Sequence, residues 1–69
     1  MPSVQWVYAN GSSWVTLDAL AQNQIESLWN KNASNWIETN SFGTPVYIDL
    51  THMCLLSQGI SYTIARRRG

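Results

Sequence analysis

His52 and Cys54 stand two residues apart around Met53, a spacing that puts both side chains on one face of a strand. A thiol beside an imidazole is the start of a nucleophilic site. The sequence supplies neither an acid paired with it nor an oxyanion-binding motif. The four carboxylates, Asp18, Glu26, Glu38 and Asp49, are scattered, and no motif couples two of them for acid–base chemistry. The four glycines stand singly, so there is no Gly-rich phosphate loop, and no run of Cys and His has metal-ligand spacing. These residues read as a non-catalytic chain with no metal and no cofactor. The groups that remain are aromatic and cationic: four Trp, three Tyr and one Phe, and an arginine run at Arg66, Arg67 and Arg68. Aromatic faces bind planar ligands by stacking, and arginines bind phosphates.

In a chain of 69 residues the same aromatics must also build the core. Such a domain buries only about 60% of its unfolded surface. Its single cysteine, Cys54, excludes an internal disulfide and fits a reducing compartment. The chain reads as one domain, residues 1–69, excised from a longer protein and placed in the nucleus or cytoplasm. Net charge is zero, which argues against a general polyanion binder, and no apolar run approaches the roughly 20 residues of a membrane span. The triplets Asn10-Gly11-Ser12 and Asn32-Ala33-Ser34 read as incidental glycosylation matches.

The elements follow from periodicity. Val4, Trp6 and Tyr8 alternate with Gln5, Val7 and Ala9, which predicts a strand. Asn10-Gly11-Ser12-Ser13 turns the chain, and Ser13 to Leu17 returns with Trp14 and Thr16 on one face and Val15 and Leu17 on the other. Asp18 is placed to cap a helix ending near Lys31, with Ala21, Ile25, Leu28 and Trp29 on one stripe. Short strands are expected at Trp36–Thr39 and Val46–Leu50, and a strand or turn at Met53–Leu56. A turn at Ser57-Gln58-Gly59 leads to a last strand through Ile60, Tyr62 and Ile64. The expected fold is α+β: a curved antiparallel half-barrel of five to six strands with one packed helix, in the order β-β-α-β-β-β-β.

Trp6, Trp14 and Glu26, in that order, together with "QIESLW", "VYIDLTHM" and "YTIARR", resemble the WWE domain family along Val4 to Arg68. The resemblance implies a half-barrel with one helix and a binding role in ubiquitin or ADP-ribosylation pathways. It further implies recognition of the iso-ADP-ribose or terminal ADP-ribose unit of poly(ADP-ribose). Carried onto this chain, the implied ligand-binding positions are Tyr8, Val46, Leu55, Tyr62 and Arg66, with Trp6, Trp14 and Glu26 mainly structural. Only Tyr8 keeps a pocket residue of the family. Val46 stands for a Tyr, Leu55 for a Gln, Tyr62 for an Arg, Val15 for a Trp, and Gly11 for an Arg found in some binders. Arg66 shares strand parity with Tyr62 and Ile64, so it can face inward. Two readings follow: an ADP-ribose reader, or a WWE-type protein-interaction module whose pocket no longer takes ADP-ribose. Nucleic-acid binding through Arg66–Arg68 ranks below both.

Overall fold

A computed structural model describes residues 3–68. Strand β1 (Val4–Asn10) and strand β2 (Ser13–Thr16) form a hairpin closed by the pair Asn10 and Ser13. Gly11 takes the left-handed conformation (φ 65°) that a two-residue hairpin loop asks of it. Helix α1 (Ala19–Lys31) follows, capped by Asp18, whose carboxylate accepts the Ala21 N–H at 3.0 Å. It ends at Asn32, also left-handed (φ 53°), where Ala33 N–H donates to Leu28 O and Asn32 N–H to Trp29 O.

Strands β3 (Asn35–Ile37), β4 (Val46–Asp49), β5 (Cys54–Ser57) and β6 (Ile60–Arg68) complete the described residues. Gln58 and Gly59 both have positive φ, the signature of the tight primed turn between β5 and β6. The six strands form one open antiparallel sheet in the order β2-β1-β6-β5-β4-β3. The α+β class and the element order thus agree with expectation. The bounds differ at β2, which ends at Thr16 rather than Leu17, at β3, which runs Asn35–Ile37 rather than Trp36–Thr39, at β4, which ends one residue short of Leu50, and at β5, which runs Cys54–Ser57 rather than Met53–Leu56. Beyond Ile37 the backbone of Glu38 leaves strand pairing to bond the helix.

Registers assign the faces. Trp6, Tyr8, Val15, Ile37, Val46, Ile48, Leu55, Tyr62, Ile64 and Arg66 share the face that packs on α1. Ala21 and Ile25 press from the helix onto Trp6, Leu17, Ile48, Leu55 and Ile64, with Leu28 at the margin. Trp14 pairs with Ala9, so it lies on the opposite face from Trp6 and is 48% exposed, whereas Trp6 is 1% exposed. The two hairpin tryptophans therefore do not frame a common space. Trp36 and Tyr47 also lie on the outer face, in an edge-to-face pair at 5.6 Å.

Two glutamine side chains join the helix to both ends of the sheet. The Gln22 carboxamide accepts Trp6 N–H at 2.7 Å and donates to Trp6 O at 2.7 Å and Leu17 O at 3.1 Å. Leu17 N–H donates to Trp6 O at 3.0 Å. The amide thus stands in the β1–β2 ladder where the chain leaves β2 for the helix. Gln24 does the same at the far end, accepting Glu38 N–H at 3.0 Å and donating to Glu38 O at 2.7 Å. Each amide offers the donor and acceptor pair of a peptide unit, so it satisfies backbone groups that a sheet edge leaves open.

Candidate functional site: an aromatic mouth and an ion-paired frame

Tyr8 and Tyr62 lie on neighbouring strands of the helix-bearing face, with their rings 5.6 Å apart and nearly perpendicular. Phe42, from the loop between β3 and β4, closes a triangle at 5.1 Å from Tyr8 and 5.3 Å from Tyr62. Thr39 holds that loop: its hydroxyl donates to Thr44 O at 3.0 Å and accepts Phe42 N–H at 3.2 Å. All three rings are partly buried and pack against the core as one aromatic cluster, which we term the mouth. Val46 and Leu55 sit beneath the surface at 0% exposure, as part of the core. Tyr8, Leu55 and Tyr62 are thus brought together in space, with Val46 in the same core. Phe42 carried no sequence signal beyond being the lone Phe, since a loop residue has no strand parity.

Arg66 faces inward, as its parity requires, and turns toward the helix. Its Nε donates to Glu26 Oε1 at 3.0 Å and its Nη2 to Oε2 at 2.6 Å, a two-pronged pair. Glu26 Oε1 also accepts the Trp6 indole N–H at 2.8 Å. The guanidinium lies 5.2 Å from the Trp29 ring centre, and Trp29 meets Trp6 edge-on at 5.6 Å. The Arg66 bonds, opposed by burial and helped by the Trp6 bond, lower the Glu26 pKa, and Glu26 raises that of Arg66. Trp6, Glu26 and Arg66 therefore form one linked set, with Trp14 outside it.

Two further carboxylates are engaged in turns. Asp18 accepts Ser41 N–H at 3.0 Å and the Ser41 hydroxyl at 2.8 Å, which ties the helix start to the loop before Phe42. Burial pushes its pKa up, but the bonds from Ser41, Ala21 and Asn40 outweigh this and bring it to about 2. Asp49 bonds His52 Nδ1 at 2.8 Å and accepts the Thr51 and His52 N–H groups, all of which lower its pKa, the His52 side chain most. His52 is thus paired with Asp49, while Cys54 lies on β5 as a free thiol. Among the described residues no three of His, Cys, Asp and Glu come together as a metal ion needs, and no helix is long and apolar enough to cross a membrane.

No family model matches the chain, and neither does any curated protein or solved structure.

Proposed function

We propose that this chain is a non-catalytic binding module of the WWE type that works through protein contacts and has given up the sugar-diphosphate site. The observation carrying this reading is the composition of the mouth: Val46 and Leu55 are sealed in the core, and Tyr62 is packed against Tyr8 and Phe42. A diphosphate there meets rings and aliphatic groups. Each charge-assisted bond it lacks is worth about 1.5–3 kcal/mol, and its desolvation goes uncompensated. Arg66, the cation that could have compensated, is committed to Glu26. The module acts in the nucleus or cytoplasm, within a ubiquitin or ADP-ribosylation pathway.

A second reading rests on the partly exposed Tyr8 and Tyr62 rings. An adenine could stack there, making the module a reader of ADP-ribose units on modified proteins. An NMR amide titration with iso-ADP-ribose and, separately, ADP-ribose, to millimolar ligand, separates the two. The first reading expects no saturable shifts. Saturable shifts at Tyr8, Phe42 and Tyr62, abolished by Tyr8→Ala, overturn it in favour of the second.

A further inference from the structure

Strand β1 begins at Val4, yet β2 covers it only from Val7 to Asn10. At Trp6 the ladder on that side is completed by Leu17 N–H and by the Gln22 amide. One register step further, at Val4, the ladder stops. In an antiparallel pair, successive residues point their N–H and C=O alternately to the two sides. Trp6 points its groups away from β6, so Val4 does too, although Arg68 lies opposite it on β6. Among the described residues no group pairs with the Val4 N–H or C=O on the open side. They face a solvent-open groove of about 360 Å³, lined by Val4, Gln5, Thr16, Leu17, Ala19 and Asn23 among others. That volume lies within the usual range of ligand sites, roughly 300–1,000 Å³.

We propose that this edge takes an extended, uncharged peptide segment by strand addition. The peptide's C=O accepts Val4 N–H and its N–H donates to Val4 O, continuing the ladder that Gln22 ends. The Gln22 carboxamide is the molecule's own example of an amide seated at this edge. Among the described residues no charged side chain lines the groove, so a neutral main chain is accepted there and a phosphate or acidic peptide gains nothing from them. Ala19 offers apolar contact for one inward side chain, while Thr16 and Asn23 offer polar contact at the rim. The groove is separate from the Tyr8–Phe42–Tyr62 mouth, so this inference does not depend on the ligand assigned to that mouth.

The test is an ¹⁵N NMR titration with an acetylated, amidated Thr-Val-Thr-Val-Thr peptide and with its fully N-methylated analogue. The plain peptide is expected to give saturable shifts at Val4, Gln5, Leu17 and Ala19 and to slow hydrogen exchange at Val4 N–H, which exchanges freely without peptide. The N-methylated analogue gives none. Val4→Pro removes that donor at the first residue of a strand, where proline is tolerated, and weakens binding at least tenfold while leaving the other amide signals in place. The proposal is overturned by any of four results. These are no shifts at millimolar peptide, equal shifts with the methylated analogue, shifts centred on the mouth or on β3, or a Val4 N–H already protected in the free protein.

Discussion

Replacing Gln22 with methionine keeps the length of the side chain and removes its amide. Three hydrogen bonds disappear, to Trp6 N, Trp6 O and Leu17 O. Trp6 O keeps its bond from Leu17 N–H, so two backbone groups, Trp6 N–H and Leu17 O, are left without these partners. At a net 0.5–1.5 kcal/mol per bond, and more where a group is left buried and unpaired, the expected loss is about 2–4 kcal/mol. A domain of 69 residues has about 3–10 kcal/mol to lose, so this variant sits near the limit of folding. Urea unfolding followed by tryptophan fluorescence measures the change, and the melting temperature should fall on the order of 10–20 °C. Gln22→Glu sharpens the test. Its carboxylate accepts Trp6 N–H but faces two carbonyl oxygens, so its folded pKa is raised above the unfolded value. That variant should be destabilised at pH 7 and recover relative to the parent as pH falls toward about 4, where the protonated acid can donate again. A Gln22→Met stability within 0.5 kcal/mol of the parent would refute the view that this amide completes the ladder.

Other outcomes follow from the same geometry. Glu26→Ala strands the buried Trp6 indole N–H and should cost about 1–3 kcal/mol in urea unfolding, whereas Glu26→Gln keeps an acceptor and should cost less. Equal losses would show that the indole bond does not matter. Asp18→Ala removes the helix cap and should cost about 0.5–2 kcal/mol. Because the folded Asp18 pKa is depressed, its contribution is full above the ordinary value of 3.8 and is lost as pH falls toward about 2. A pH series of melting curves on parent and variant should therefore converge in acid. Gln58→Asn places a residue that accepts the left-handed conformation in the β5–β6 turn. It should stabilise by less than the roughly 1–2 kcal/mol that such a conformation costs an ordinary residue.

The parts of the fold that periodicity controls were legible in the residues. Alternation in Val4–Ala9 and Ile60–Ala65 marks β1 and β6, Asp18 marks the helix start, and Gly11 and Gly59 mark two hairpin turns. Parity also placed Arg66 with Tyr62 and Ile64 on one face of β6, while their sharing that face with Tyr8 depends on the β1–β6 register. What no periodicity encodes is contact across long separations. Gln22 and Gln24 look like ordinary helix formers, and their partners lie 16 and 14 residues away. Phe42 sits in a loop without parity, so its place between Tyr8 and Tyr62 depends on the path of residues 39–45. The partner of Glu26 lies 40 residues distant, and its choice of Arg66 over the neighbouring arginines follows from the Trp6–Arg66 register alone.

The place of β6 in the sheet bears on how the chain is made. The last of these six strands to leave the ribosome lies between β1 and β5 and bonds both. Before it emerges, the nascent polypeptide holds two pieces of sheet, the β1–β2 hairpin and the β3–β4–β5 meander, with no strand between them. Arg66, which secures Glu26 and through it Trp6, arrives in that same final segment. The decisive step in folding this domain therefore waits for β6, and a nascent chain stalled before Ile60 is left with two unsealed strand edges for chaperones to shield.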